Sequence, residues 1–340
     1  MNNPKILTIA IPAFNMEHFL SRCLDSILNI DIVEWLEILV INDGSKDSTL
    51  ELAKKYESQY PYIIKVIDKE NGGWGSAINK AINISEGKYF RILDADDWYD
   101  TNSFQQYVYQ LKDLDYDMIL TPYCYEYVTK GVQKEVPFKN VEYNKGYVYS
   151  DLHSLKWGKN WFDLPSITYR TKLLQNSNIK ISECFYSDIE YDYLPIKYVK
   201  SFIFLPYNIY RYYIGREGQS VSPEGTTKNY KDHLYITQKV IDYYLKAIDS
   251  EDIIFSNFIK NIAIAKIIQN YVALLKFYID RKEANILLSQ FNTNLYKTSK
   301  YLYKLSGWRL SICHLIYPIL LWRYFRYNIY QSYLYKFVKK

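Results

Sequence analysis

The sequence predicts an α/β fold: a Rossmann-like, mostly parallel sheet flanked by helices, followed by a helical C-terminal region. Three features predict it. Over the first hundred residues, apolar runs of strand length alternate with amphipathic helical runs, the rhythm of parallel strands joined by crossover helices. Each of those strands ends in a polar or glycine-rich segment, and ligands of such sheets bind beyond the carboxyl ends of the strands. From Thr226 onward helical periodicity takes over, as in Val240, Ile241, Tyr244 and Leu245.

The elements follow in order. Ile6 to Ile11 is an apolar strand, and Met16 to Asn29 an amphipathic helix with Phe19, Leu20, Cys23, Leu24, Ile27 and Leu28 inward. Leu36 to Ile41 is the second strand, and Ser48 to Tyr60 a helix opened by the Asp47/Ser48 cap region. A third strand, Ile63 to Ile67, leads through Gly72-Gly73-Trp74-Gly75 to a helix from about Ser76 to Ile84. Lys88 to Leu93 is the fourth strand. Further on the pattern predicts a helix near Asn102 to Leu114, strands near Met118 to Thr129 and Ser166 to Tyr169, and a short helix around Ile189 to Val199. Phe202 to Ile214 reads as two strands about a turn at Pro206-Tyr207-Asn208.

Composition bounds the function. A chain of 340 residues, 49% hydrophobic and moderately charged, is globular rather than disordered. Its 38 tyrosines are far above ordinary usage and do not each mark a contact. Cys23, Cys124, Cys184 and Cys313 form no CxxC pair and read as free thiols in a reducing compartment. The N-terminus shows no signal-peptide hydrophobic region, so a cytoplasmic location is expected. Of the 42 Lys and Arg, nine lie after Glu283, where there is no Asp or Glu; residues 1–283 therefore hold 33 basic against 37 acidic side chains. The basic tail interleaves Tyr and Trp with Lys and Arg, which suits an anionic membrane interface or a packing surface on the domain or on a second copy. Its most apolar run, Leu310 to Trp322, is too short to span a bilayer. A mildly acidic body without a recognition motif argues against nucleic acid.

The strand ends carry the chemistry. The fourth strand runs straight into Asp94, Asp96 and Asp97, three like charges that repel unless a cation sits among them. Carboxylate oxygens suit a hard ion such as Mg²⁺ or Mn²⁺, which in turn favours phosphate. Asp43, in a turn beside Gly44, can accept from a base N–H or a ribose hydroxyl. Gly72, Gly73 and Gly75 ahead of a helix suit phosphate, yet form neither a Walker loop nor a GxGxxG fingerprint. His18, His153, His233 and His314 have no metal-ligand spacing. Trp74, Trp98, Trp157 and Trp161 are either core or stacking surfaces.

Ala10-Ile-Pro-Ala-Phe-Asn15, Asn42-Asp-Gly-Ser-Lys-Asp-Ser-Thr49, Asn71-Gly-Gly and Leu93-Asp-Ala-Asp-Asp-Trp98, in this order and spacing, resemble glycosyltransferase family 2. The resemblance is close over residues 5–100 and looser over 101–222. It implies the GT-A fold and an inverting enzyme using a nucleotide-sugar donor, most readily a UDP-sugar. It also implies a catalytic domain at 1–222, with a nucleotide-binding half at 1–100 and an acceptor half and lid at 101–222, ahead of a helical region at 223–340. Pro12, Phe14, Asn15 and Glu17 would border the nucleotide, Asp43 would hold the base, and Asn71 and Gly73 would lie beside the donor. Asp94 and Asp96 would meet ribose and the divalent ion, Mg²⁺ or Mn²⁺, with Asp97 a ligand or a support. The family's catalytic base falls within Cys184-Phe-Tyr-Ser-Asp-Ile-Glu-Tyr191, where Ser187 stands in place of a common Glu; Asp188 is the candidate and Glu190 the alternative. Arg216, in a segment resembling the lid, would clamp the diphosphate, with Gln219 and Ser220 closing over it. The expected acceptor is a bacterial surface glycan or a lipid-linked one. Rival readings are a non-catalytic partner subunit and a sugar-phosphate nucleotidyltransferase; the latter lacks its basic glycine-rich N-terminal loop here.

Overall fold

The computed structural model describes residues 4–153, 162–215, 223–278 and 280–312. The chain forms two compact units, Met1–Glu217 and Gly218–Lys340.

In the first unit, β1 (Leu7–Ala13) and β2 (Leu36–Asp43) are buried along almost their whole length, as parallel strands covered on both faces are. They are joined by α1 (Leu20–Leu28). Next come α2 (Thr49–Gln59), β3 (Ile64–Lys69), α3 (Gly73–Ile84) and β4 (Tyr89–Ile92). A short β5 (Trp98–Tyr99), α4 (Thr101–Leu111), β6 (Met118–Leu120), β7 (Tyr123–Tyr127), β8 (Val132–Val136) and β9 (Gly146–Val148) follow. Then come β10 (Ile167–Arg170), α5 (Thr171–Asn176), α6 (Asp188–Tyr193), β11 (Ser201–Phe204) and β12 (Tyr210–Tyr213).

The eight-stranded main sheet has the order β3-β2-β1-β4-β10-β6-β11-β9, and a four-stranded sheet has the order β5-β12-β7-β8. The first four strands of the main sheet are parallel, as their rhythm predicts. Their register brings the polar ends to one rim: Ala13 pairs with Asn42, and Asp43 with Lys69. β4 stops at Ile92, opposite Ala10, and its chain makes one more bond, from Leu93 N–H to the Ala10 carbonyl. β1 runs on through Pro12, beyond its expected end. Backbone groups alternate sides along a parallel strand, so Pro12 turns toward the side where β4 has already ended, and its missing N–H breaks no pairing.

Other boundaries moved for physical reasons. α1 begins at Leu20 rather than Met16 because the preceding loop is tied to the β2 loop. α3 begins at Gly73, so the glycine loop is the first turn of the helix. Met118 to Thr129 divides between two sheets, and so does Phe202 to Ile214: β11 and β12 are not a hairpin, the Pro206–Asn208 turn carrying the chain from one sheet to the other. β8 and β9 carry no apolar pattern and were not foreseen.

Arg91 of β4 is fully buried. It donates to Thr168 Oγ1 (2.8 Å), Thr121 Oγ1 (3.2 Å) and the Pro165 carbonyl, and lies near the Tyr99 and Tyr107 rings. Hydrogen bonds and ring faces thus hold a cation that burial would otherwise penalise.

The second unit is helical: α7 (Pro223–Lys228), α8 (Tyr230–Asp249), α9 (Ile253–Val272) with a π turn at Ala273–Phe277, α10 (Arg281–Thr298) and α11 (Lys300–Ile312). Asp252 caps α9 through Phe255 N–H, and Asp280 caps α10 through Lys282 and Glu283 N–H. Tyr230 donates to Asn270 Oδ1 (2.6 Å), whose amide donates to Thr237 Oγ1 (3.0 Å), a satisfied polar network in the apolar core. Among the described residues one helix, Ile253–Leu275, is long and apolar enough to cross a membrane, but 56% of that window is buried inside the protein, as in a core helix. The basic tail beyond Ile312 lies outside the described residues.

Candidate active site

α3 organises the site. Its first amides cannot be satisfied within the helix. Gly72 and Gly73 N–H donate to Asp43 Oδ1 and Oδ2 (3.0 and 2.8 Å), and Lys69 Nζ adds an ion pair at 2.6 Å. Asn71 Nδ2 donates to the Asp43 carbonyl (2.8 Å). Asp43 therefore sits buried as a distant cap of α3, and the two glycine amides expected to face phosphate point at its carboxylate. Gly73 takes φ +81°, a left-handed conformation that costs other residues but not glycine.

One residue into α3, Trp74 Nε1 donates to Asp94 Oδ1 (3.0 Å). Trp74 thus orients a carboxylate, a task distinct from either core packing or stacking. The Asp94 N–H donates to the Tyr210 hydroxyl (3.3 Å), and that hydroxyl donates to Asp97 Oδ2 (2.6 Å). Tyr213 N–H donates to Asp97 Oδ1 (2.7 Å), so both Asp97 oxygens are held by β12. Arg22 of α1 stacks over the Trp98 ring, 3.9 Å from its centre, and donates to the Asp96 carbonyl (2.6 Å). Burial, then the charges of Asp96 and Asp94, push the Asp97 carboxyl well above the usual range. The buried Cys23 thiol beneath is pushed up by burial and the same three aspartates.

The β1 and β2 loops are stitched together. Asn15, at φ +54°, donates its N–H to Ser45 Oγ (3.0 Å) and accepts from Lys46 N–H (2.8 Å). Glu17 accepts from Ser48 N–H (2.9 Å) and donates its own N–H to Asp47 (3.2 Å). Pro12 is half-buried beside Ile41 and Phe14 is exposed on the rim.

The segment that carries Asp188 is pinned to α3. Asn79 donates to the Ile181 carbonyl (2.8 Å) and accepts Ile181 N–H (2.9 Å). A Cβ on Gly75 would lie 2.1 Å from the Ser182 carbonyl oxygen, so only glycine admits this approach. Ser182 N–H donates to Glu190 Oε2 (2.6 Å), and Glu190 is buried. Asp188, at the first turn of α6, is exposed. The Tyr212 phenol is pushed up by burial, then by Asp97, Asp94, Asp96 and Asp188, so one side chain feels the whole cluster.

The fold thus gathers Pro12, Phe14, Asn15, Glu17, Asp43, Asn71, Gly73, Asp94, Asp96 and Asp188 along one rim and its neighbouring loops. Arg216, Gln219, Ser220, Trp157 and Trp161 lie outside the described residues. Sequence reasoning missed Lys69, Arg22, Tyr210 and Tyr213. Tyr210 lies 113 residues from the Asp97 it holds, and no local pattern marks such a pair.

With this geometry in place the comparisons decide the family. A model described as glycosyl transferase family 2 matches residues 8–175. Residues 8–175 form a glycosyltransferase family 2 domain. An uncharacterized glycosyltransferase of Escherichia coli K12, YibD, is 24% identical over 322 residues, 87% of each chain. The family 2 domain also resembles the MG025 homolog of Mycoplasma pneumoniae (34% identical, 35% of this chain and 40% of that one). A third relative is a hyaluronan synthase of Pasteurella multocida (37% identical, 31% and 11%). The chain thus spans less than half the length of these last two relatives. Among solved structures, mannosyltransferase PcManGT from Pyrobaculum calidifontis, in complex with GDP-Man and Mn²⁺, superposes with a TM-score of 0.53 at 16% identity (96% of this chain, 82% of that one). TarS 1–349 of S. aureus gives 0.51 at 16% (87% and 73%). The family 2 domain has the GT-A fold.

Proposed function

We propose that the chain is an inverting glycosyltransferase that moves a sugar from a nucleoside-diphosphate donor, most readily a UDP-sugar, to a hydroxyl of a glycan or lipid-linked acceptor. One observation carries the reading. α3 holds Asp43 and Asp94 by its first turn and, through Gly75 and Asn79, also holds the segment that presents the exposed Asp188.

Asp188 is the general base: its carboxylate takes the proton of the acceptor hydroxyl as that oxygen attacks the anomeric carbon, and the diphosphate leaves from the opposite face. Glu190 is buried on Ser182 and serves the loop. Asp43, held by Lys69 and the first amides of α3, would accept from the base of the donor through its remaining lone pairs, and Pro12, Phe14, Asn15, Glu17, Asn71 and Gly73 would frame the nucleotide.

Among the described residues no three His, Cys, Asp or Glu side chains form a complete metal cage. Asp94 and Asp96 nevertheless fit a hard divalent ion that completes its shell with phosphate oxygens and water. Asp94, Asp96 and the buried Asp97 gather three carboxyl groups at one strand end, and burial first, then their mutual repulsion, raises the Asp97 carboxyl. Mg²⁺ or Mn²⁺, when bound, would offset charge on the leaving diphosphate. Asp97, with both oxygens held by β12, supports these ligands. The resemblance of their segment supports assigning Arg216 and Ser220 to the diphosphate.

A cytoplasmic enzyme at an anionic membrane face accounts for the basic tail. The exposed Tyr296, Lys297, Lys300, Tyr301 and Lys304 of α10 and α11 support that reading. The test of the site is Asp188→Asn with the matched donor: the variant is expected to bind nucleoside diphosphate as the unaltered chain does and to transfer sugar about 10³-fold more slowly. Unchanged transfer would refute the assignment.

A further inference from the structure

The four-stranded sheet carries an ordered set of tyrosines, of which Tyr210 bonds the aspartate cluster. Tyr123, Tyr125 and Tyr127 alternate along β7 and share a face. The parallel register sets Tyr210 beside Tyr123 and Tyr212 beside Tyr125, on that same face. Their rings touch: Tyr123 and Tyr125 at 5.3 Å, Tyr125 and Tyr212 at 5.6 Å, Tyr125 and Tyr127 at 6.4 Å between centres. Tyr123 and Tyr210 are buried, whereas Tyr125, Tyr127 and Tyr212 are half-buried and each keeps part of its surface open.

The strip is anchored in the site at its Tyr123–Tyr210 end. On the β12 side the Tyr210 hydroxyl holds Asp97. On the β7 side Asp163 accepts from the Tyr123 and Tyr193 hydroxyls, each at 3.4 Å, and Tyr193 closes the helix that Asp188 opens. That end therefore lies between the aspartate cluster and the helix that opens with the base. The electrostatics agree: Tyr193 is pushed up by burial, then by Asp163, Asp192 and Asp188.

Half-buried aromatic rings beside carboxylates suit a sugar: its C–H face packs on the open part of the ring and its hydroxyls donate to the carboxylates. We propose that Tyr125, Tyr127 and Tyr212, with Asp163 at their edge, form the acceptor subsite and take an uncharged sugar ring. This rests on the transferase reading above and narrows its acceptor. A phosphate-bearing acceptor would meet the negative charges of Asp163, Asp188 and the aspartate cluster at the reacting end. On these four strands the one cation sharing the face is Lys134, opposite Tyr125 at the exposed β8 edge.

The experiment is saturation-transfer difference NMR on the full chain. The probes are the methyl glycosides of glucose, galactose and N-acetylglucosamine, with glycerol 3-phosphate as the anionic comparison. At least one glycoside should give a signal that glycerol 3-phosphate does not displace. Tyr125→Leu and Tyr212→Leu should each reduce it about fivefold while Tyr125→Phe retains it. Circular dichroism melts check that the variants fold, and Tyr127→Leu, at the half-buried edge, replaces any that does not. No glycoside signal from the unaltered chain, an undiminished signal in the leucine variants, or displacement by glycerol 3-phosphate overturns the proposal. Nucleoside-diphosphate release by the unaltered chain in water, without any glycoside, reads the transferase reading separately, so the two can fail independently.

Discussion

Asp188 and Glu190 stand two residues apart in α6, and the fold gives them opposite surroundings. Asp188 opens the helix at the surface, while Glu190 is buried with its carboxylate on the Ser182 amide. Asp188→Asn should therefore lower transfer by about 10³-fold, the scale of a lost general base, with donor affinity kept within about twofold. Glu190→Gln should instead lower the melting temperature and weaken every kinetic constant together, because it loosens the loop rather than the chemistry. Steady-state kinetics beside thermal melts separate the two. Asp43, Asp94 and Asp96 were legible in the sequence because a carboxylate just past an apolar strand breaks the pattern. The roles of Trp74, Arg22 and Tyr210 were not, since each depends on which distant atom the fold brings near.

At the scale of elements, α3 acts as a clamp between Asp43 and Asp94 on one side and the segment leading to Asp188 on the other. Glycine inside a helix ordinarily costs about 1 kcal/mol relative to alanine. Gly75→Ala should nevertheless destabilise the protein by about 1–3 kcal/mol, because its Cβ would meet the Ser182 carbonyl at 2.1 Å and displace the segment leading to Asp188. A melt and a turnover measurement should fall together, and a stabilised, fully active variant would contradict the clamp.

In the helical unit, burial and then Lys266 lower the His233 imidazole to about 4. An unfolded histidine titrates near 6.5, so the folded state favours the neutral ring. The resulting stability is present above about pH 6.5 and lost as pH falls toward 4, by about 3 kcal/mol at most. Denaturant melts of the full chain at pH 7 and pH 4.5 should show that loss, and His233→Phe, which keeps the ring beside Tyr230, should reduce it. Equal losses in both proteins would exclude His233 as the cause.

Across the whole molecule, the parallel half of the main sheet was legible because crossover rhythm and buried runs such as Leu7–Ala13 leave few topologies open. The four-stranded sheet was hidden: β5 has two residues, β8 is exposed throughout except Val136, and β7 and β12 pair across more than eighty residues. Tyrosine excess was legible as composition, and its gathering on one face appears only in the strand register. The charge asymmetry after Glu283 makes its own prediction. Deleting residues 300–340 should abolish sedimentation with phosphatidylserine vesicles, and 0.5 M salt should weaken binding of the full chain, as roughly a 5 Å screening length requires.

The central claim is metal-assisted transfer from a nucleotide sugar at the Asp94–Asp96 strand end. Its most direct test is nucleoside-diphosphate release from a panel of UDP-sugars and GDP-mannose, with Mn²⁺ or with EDTA, for the unaltered chain and Asp96→Ala. The predicted result is release from at least one donor, lost on adding EDTA and lost in the variant. Release that survives both, or none from any donor with Mn²⁺ present, would contradict it.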